Sequence, residues 1–388
     1  MLSRFWRIVL TVTGWHIAAS VCYYAIYAGT PLFRDAFSLS SFEVGLVISA
    51  LTLGYAVFLL PFGVATDRFG ERRTLSAGLA GLASGVLLVA VAPTYWLFLA
   101  AVFLLGSMYG SATPGTNKAI FDQIDAERHH RAIGIKQIGP TVGSAIGAVL
   151  ITGLAGRFFW QFGFLVAAGV GLITTVTFFF VYRRASRADM TSPDFRGLLS
   201  NRTYLVLLPA GMCIGAAFYT TTGYTVLFID ESIGATVATG GLVLASVQAV
   251  NSAGKIVVGT LADILPGTPR ARTGAILVVQ AAGGGVLFLL LPLTTTPLTA
   301  GLVFACLGVF VLGSTGLYYS CISTLVSDEK LGAASAAGQL AMTVSGLFAP
   351  PTFGYLIDAN GYGVAWAFLA GLSFVAAALV LLVVFEIV

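Results

Sequence analysis

Asn251, Lys255, Gly259 and Asp263 recur at every fourth position of the stretch NSAGKIVVGTLAD, and Gln248 extends the row by three residues. Positions three and four apart share one face of a helix, so two amides and an ammonium line one stripe. This set suits the binding of an anion, with the ammonium as counter-charge and the amides as hydrogen-bond donors. Eight residues, about 12 Å of helix rise, separate Lys255 from Asp263, too far for the ammonium to snorkel easily to bulk water. A second lysine, Lys136, lies five residues, about 7.5 Å, beyond Arg131. It reads either as a second cavity cation or as a lysine that snorkels to the interface.

All sixteen acids fall in loops or at the ends of apolar segments. A carrier of cations needs a carboxylate near the centre of a segment, so its absence beside two lysines predicts a positive site and an anionic substrate. Tyrosines add rings and hydroxyls: Tyr23 and Tyr27 follow His16 and Ser20 on one stripe, and Tyr219, Tyr318, Tyr109 and Tyr319 lie in other apolar segments. Tyr23, Tyr27, Tyr219 and Tyr318 are the candidates for substrate contact; the alternative for tyrosines near segment ends is the interfacial belt. His16 is the candidate proton site, because an imidazole titrates nearest neutrality, although a lone histidine also serves as hydrogen-bonded structure. Cys22, Cys213, Cys306 and Cys321 lie in apolar stretches without CxxC spacing and read as packing residues, so neither disulfide nor metal site is expected. AVNSAGKI (249 to 256) lacks the first Gly and the Ser/Thr of a phosphate-binding loop, so no ATP-driven pump, no cofactor and no catalytic centre are expected.

These residues sit in a chain of 388, of which 57% are apolar and 9% charged. Soluble domains carry about a quarter charged residues, and a span needs about 20 apolar ones. Apolar segments lie near 5 to 29, 42 to 62, 74 to 92, 95 to 116, 132 to 154, 159 to 182, 204 to 229, 237 to 262, 273 to 293, 297 to 322, 332 to 357 and 363 to 387. They are continuous rather than alternating, which excludes a transmembrane barrel and predicts an all-α membrane protein of twelve spans. The first is too long for a signal sequence and is read as retained. Sixteen of the 20 Lys and Arg lie at the N-terminus or near the loops after even-numbered spans, which puts both termini in the cytoplasm. The net charge of +4 is thereby accounted for by topology, without a nucleic-acid partner. The polar stretch 183 to 203 reads as a cytoplasmic linker between six-helix bundles at 1 to 182 and 204 to 388. A shift of 196 residues aligns Gly63-x-x-x-Asp67 with Gly259-x-x-x-Asp263 and Tyr23 with Tyr219, so the bundles read as pseudo-symmetric copies.

The segment GVATDRFGERR (63 to 73) resembles the loop signature GxxxDRxGRR of the major facilitator superfamily, and GTLADILPGTPRAR (259 to 272) lies where that family has its second copy. The resemblance covers the whole chain. It implies that Gly63, Asp67, Arg68, Arg72, Arg73 and Asp263 belong to a gate that latches and releases the two halves; a plain topology anchor is the alternative. Gly63 would permit close helix approach, while Asp67 and the arginines would pair with charges or helix ends. Span 8 looks like the NxxGRxxxGxxxD pattern of oxalate/formate exchangers, with Lys255 replacing arginine and so offering a point charge instead of a planar fork. GIKQIGPTVGSAIG (134 to 147) is similar to a segment of cyanate and other small-anion permeases, though helix packing and a bend at Pro140 account for it equally. The arginine of span 4 in proton-coupled drug exporters is replaced by Val102.

The resemblance implies a secondary active transporter of a small organic anion, a mono- or dicarboxylate, working by alternating access. A proton-coupled exporter of apolar or amphiphilic compounds is the alternative. The expected setting is the inner membrane of a prokaryote, with the protein a monomer and a proton or counter-anion as coupling partner.

Overall fold

Continuous apolar runs leave the backbone no water to bond to, so each must close its hydrogen bonds within a helix. The computed structural model describes residues 3–182, 198 and 200–384; most of the expected linker, 183–197 and 199, lies outside the described residues. Among the described residues all regular secondary structure is helical. The α-helices are α1 (Arg4–Ala28), α2 (Thr30–Phe37), α3 (Ser41–Phe69), α4 (Glu71–Val91), α5 (Tyr95–Tyr109), α6 (Ala112–Phe121), α7 (His129–Lys136) and α8 (Ile138–Ala155). They continue with α9 (Gln161–Val181), α10 (Arg202–Glu231), α11 (Val237–Ile264), α12 (Pro269–Leu290), α13 (Pro297–Leu307), α14 (Ser314–Leu325), α15 (Asp328–Asn360) and α16 (Tyr362–Val384). Among the described residues twelve helical stretches are long and apolar enough to cross a membrane, in the order expected of the twelve segments.

The departures from that expectation are local. Residues 63 to 73 are scarcely a loop: α3 carries Gly63, Asp67 and Arg68 to its end, and α4 begins at Glu71. Gly70 alone makes the turn, at φ 85°, a backbone that residues with a Cβ adopt only under strain. Span 4 is broken at Gly110–Ser111, between α5 and α6, and span 10 at Gly313–Ser314. Each serine turns its hydroxyl back on the carbonyl three residues earlier, Ser111 to Met108 at 2.8 Å and Ser314 to Val311 at 2.7 Å. In span 10 a π-helical stretch, Gly308–Leu312, precedes the break, and buried Gln280 donates to the Val309 carbonyl at 2.7 Å.

Two arginines close the ends of their helix groups in the same manner. Arg72, second residue of α4, donates from Nε to the Phe179 carbonyl near the end of α9 at 3.0 Å. Arg270, second residue of α12, donates from Nε to the Val383 carbonyl near the end of α16, also at 3.0 Å. A cation on unpaired C-terminal carbonyls complements the negative end of a helix.

The described residues form two compact units. One contains α1, α2, α3 from Ala50 onward, α4 to α9 and Gly240–Ala245; the other contains Leu39–Ser49, α10, the remainder of α11, and α12 to α16. The first is filled by rings such as Phe33, 4.6 Å from Phe98 and 5.3 Å from Phe164. The second is filled by Trp366, stacked on Phe288 and edge-on to Phe228 and Phe353. Two helices are therefore divided. The shift of 196 maps 44–49 onto Gly240–Ala245, so the divided segments of α3 and α11 are counterparts, and each carries a glycine at the contact. A Cβ on Gly45 would stand 2.5 Å from Pro350 O and Pro351 Cα, and one on Gly241 would collide with the Thr152 side chain.

Packing this tight makes a direct comparison. Gly241→Leu is expected to destabilise the protein by about 1–3 kcal/mol through overpacking, lowering its melting temperature in detergent. Gly63→Ala, with nothing within 4 Å of the added methyl, is expected to leave it unchanged or raise it slightly.

Candidate functional site

In the second unit α11 presents Gln248, Asn251 and Lys255 in one row. Gln248 and Asn251 are buried, 3% and 1% exposed, and Asn251 Nδ2 donates to Gln248 Oε1 at 3.4 Å. That single bond leaves Gln248 Nε2 and Asn251 Oδ1 without a hydrogen-bond partner, one donor and one acceptor held dry at the cost such groups carry. The adjoining helix is kept close by Gly308, where a Cβ would stand 2.6 Å from Val247 O and 3.3 Å from Asn251 N. Lys255, one turn on, is exposed, where the stripe passes from the buried Gln248 and Asn251 to the half-buried Gly259 and exposed Asp263, and the neighbouring apolar residues Ile256, Val257 and Ile264 are all more than 60% exposed. Among the described residues no carboxylate pairs with Lys255 and no hydrogen bond holds it. Its stem runs 4.0 Å from where a side chain on Gly316 would begin.

Gly316 opens a row on α14, Gly316, Tyr319, Ser320 and Ser323, that is exposed or half-buried and polar. Tyr319 donates to Gln339 Oε1, whose amide nitrogen reaches Thr343 at 3.2 Å. The neighbouring Tyr318 is fully buried in the apolar core beside Tyr204, Leu207 and Leu277. Tyr219 is 8% exposed and edge-on to Phe218. Small and hydroxyl-bearing residues at positions 316, 320 and 323 were the signal for the α14 row.

In the first unit Lys136 ends α7 and is 2% exposed. Its ammonium donates to Asn117 Oδ1 at 2.7 Å and Thr116 Oγ1 at 3.3 Å, both on α6, and among the described residues no carboxylate pairs with it. It is thus a buried cation on neutral oxygens, held without snorkelling. Asn117 and Thr116 escaped the sequence reading, although adjacent polar residues at the end of an apolar segment mark them.

His16 is 4% exposed. Its Nε2 lies 3.4 Å from Tyr109 Oη, which lies 3.0 Å from Ser20 Oγ, while its Nδ1 has no hydrogen-bond partner. Tyr23 stacks on Tyr109 with ring centroids 4.1 Å apart, and Tyr24, Tyr27 and Tyr55 surround the pair. The rings fill one another's space, and Tyr55, unnoticed in the sequence, joins through α3. Among the described residues no group of three or more His, Cys, Asp or Glu is gathered to hold a metal ion.

The residues around the α3–α4 turn divide. Asp67 is half-exposed and 3.9 Å from the Lys118 ammonium, which pairs more closely with Asp122 at 3.3 Å. Arg68 lies over Phe69 and Arg72 over Phe179, 5.4 and 4.4 Å from the ring centroids. Arg73 and Asp263 are exposed, and the Asp263 carbonyl accepts from Arg272 at 3.0 Å. Gly63 and Gly259 both face open space, so no close helix approach uses either in this structure. Beneath the turn, Tyr182 donates to Glu71 at 3.2 Å and accepts from Gln123. Burial first, and the Glu71 carboxylate second, push its phenol far above the usual tyrosine range, so it keeps its proton as a donor.

Comparison with known proteins places this arrangement. A hexuronate transporter of Bacillus subtilis is 25% identical over 361 residues, covering 87% of this chain and 84% of that protein. A probable sulfoacetate transporter of Cupriavidus necator is 23% identical, covering 87% and 83%, and a probable L-galactonate transporter of Escherichia coli 21% identical, covering 84% and 77%. Among solved structures, a bacterial homologue of the human lysosomal transporter Spinster, in an inward-facing and occupied conformation, superposes with TM-score 0.80 at 16% identity over 97% of this chain and 95% of that one. The family model of the Major Facilitator Superfamily matches residues 15–350. With twelve spans, two copies of the α3–α4 signature and this match across most of its length, the chain belongs to the major facilitator superfamily.

Proposed function

We propose that the protein carries a small organic anion, a mono- or dicarboxylate, across a prokaryotic inner membrane by alternating access. The observation that carries this reading is Lys255, an accessible ammonium within a span, without a described partner. It is next on its stripe to two buried amides that each have an atom unbonded. An ionisable group at such depth is costly and marks function, and no span offers a central carboxylate to bind a cation. The relatives named for hexuronate, sulfoacetate and L-galactonate support an anionic cargo.

In this reading Lys255 is the principal counter-charge and Gln248 and Asn251 orient the substrate by hydrogen bonds. Tyr23, Tyr27, Tyr219 and the α14 row around Tyr319 supply rings and hydroxyls, whereas Tyr318, expected at the substrate, is withdrawn into the core by the phase of α14. Lys136, fixed by Asn117, contributes the second positive charge. Gly63, Asp67, Arg68, Arg72, Arg73 and Asp263 form the cytoplasmic gate, and His16 is the candidate carrier of a coupling proton. Both termini face the cytoplasm, and the protein works as a monomer.

Lys255→Ala in proteoliposomes is expected to lower uptake of the anion carried by the parent at least tenfold, with Lys255→Arg recovering part of it. Hexuronate, L-galactonate and sulfoacetate are the probes; unchanged uptake of every transported anion by Lys255→Ala would sink the reading. Asn117→Leu removes the nearer acceptor of the Lys136 ammonium and is expected to destabilise the protein by about 1–3 kcal/mol. A melting curve in detergent measures this, and Asn117→Asp, which restores an acceptor, is expected to recover the loss.

A further inference from the structure

The rule that gathers cations in cytoplasmic loops leaves a cation at the other end of the spans unexplained. Of the 20 Lys and Arg, only Arg34 and Arg157 lie in loops after odd-numbered spans. Arg34 interacts with other residues of the chain, whereas the Arg157 side chain has no partner among the described residues. Arg157 is exposed and stands just beyond the end of α8 (Ile138–Ala155). At the same end of the spans and in the same unit, Trp96 is 75% exposed at the start of α5, which marks the depth of the lipid headgroups.

One face of α8 leads from that depth into the membrane. Ala145, Val149 and Gly153 precede Arg157 at four-residue spacing, and residues so spaced share a face. They line an open groove of about 730 Å³ that Ala245 of α11 borders. Every lining residue belongs to one compact unit, which includes Gly240–Ala245. Apart from Arg157 the lining side chains are apolar, and among the described residues no acid joins them. Twelve residues separate Ala145 from Arg157, about 18 Å of helix rise, against about 15 Å for one leaflet of a hydrocarbon core about 30 Å thick. The groove is therefore one leaflet long, apolar along its length and cationic at its mouth.

We propose that this groove binds one anionic phospholipid of the phosphatidylglycerol type, with an acyl chain along Ala145, Val149 and Gly153 and its phosphate on Arg157. A guanidinium offers a phosphate two parallel N–H donors, and a headgroup without an ammonium brings no charge that repels it. A second copy of this chain suits the groove less well. A two-fold contact repeats the same patch on both partners, which would bring two Arg157 side chains to one interface with no acid in the groove to pair them. The leaflet is the non-cytoplasmic one in the orientation proposed above, and the site does not depend on which anion is carried.

Native mass spectrometry of the delipidated protein, titrated in detergent with phosphatidylglycerol or phosphatidylcholine, counts the lipids held by each chain, and gel filtration confirms that each variant is folded. The parent is expected to hold one phosphatidylglycerol that Arg157→Gln binds about tenfold more weakly, in keeping with loss of a charge-assisted pair, while phosphatidylcholine binding changes little. Gly153→Phe keeps the arginine but fills the groove from a position where a Cβ meets nothing within 4 Å, and is expected to lose the same lipid. Arg34→Gln is expected to bind as the parent does. Equal phosphatidylglycerol binding by the parent and Arg157→Gln overturns the site, as does an equal loss with Arg34→Gln, which would mean diffuse attraction to that end. A dimer that Gly153→Phe abolishes while the lipid count stays the same also overturns it, because a second copy would then cover the groove. A lower melting temperature of Arg157→Gln with unchanged lipid binding does so too, and would leave Arg157 as a partner of the α8 C-terminus alone.

Discussion

Hydrocarbon offers a bare N–H or C=O nothing to bond to, and much of the structure follows from where the chain interrupts its helices in spite of that. At each interruption a specific group takes over. Ser111 and Ser314 turn their hydroxyls onto carbonyls at the breaks in spans 4 and 10, Gln280 serves the π-helical stretch, and Arg72 and Arg270 cover carbonyls near the ends of α9 and α16. The same demand singles out atoms left unserved. Gln248 Nε2, Asn251 Oδ1 and His16 Nδ1 are buried without partners, and each lies among the residues whose chemistry suits binding or proton exchange. Two of the three adjoin the accessible Lys255 on one stripe.

The two lysines show two physical solutions for a cation within a span. Lys136 is desolvated and compensated by the neutral oxygens of Asn117 and Thr116, an arrangement that fixes the position of its charge. Lys255 is accessible and uncompensated by any described residue. A charge already satisfied by the protein has little to gain from a ligand, whereas one satisfied by water exchanges water for an anion. Under the proposed function, Lys255 is therefore the one of the two to answer an arriving anion, with Lys136 as a fixed background charge.

The fold was legible because membrane spans announce themselves by length and polarity: all twelve appear in order, and the repeat at a shift of 196 extends to the contact glycines Gly45 and Gly241. The juxtaposition of candidate residues was legible where helical periodicity holds, as in the single row that Gln248, Asn251 and Lys255 make on α11. It failed where the helix is irregular. A π-helical stretch absorbs an extra residue, so the phase of α13 does not carry into α14, and sequence alone could not tell which of Tyr318 and Tyr319 lies in the core. Nor could it find Asn117 or Tyr55, whose roles depend on which helices become neighbours. Gly63 was expected at a close approach, yet it faces open space here, as does its counterpart Gly259.

Gly45 and Gly241 are counterparts by repetition, yet they meet different materials. Gly45 lies against the backbone of Pro350 and Pro351, whose rings leave the chain no freedom to yield, while Gly241 lies against the side chain of Thr152, whose hydroxyl is bonded to Ala148 O at 2.8 Å. The two close approaches thus differ in kind: α3 bears on backbone and α11 on a branched side chain. Duplication supplied a matching pair of contacts, and divergence at one neighbour of each glycine left one that a single side-chain substitution opens and one that only a backbone shift relieves.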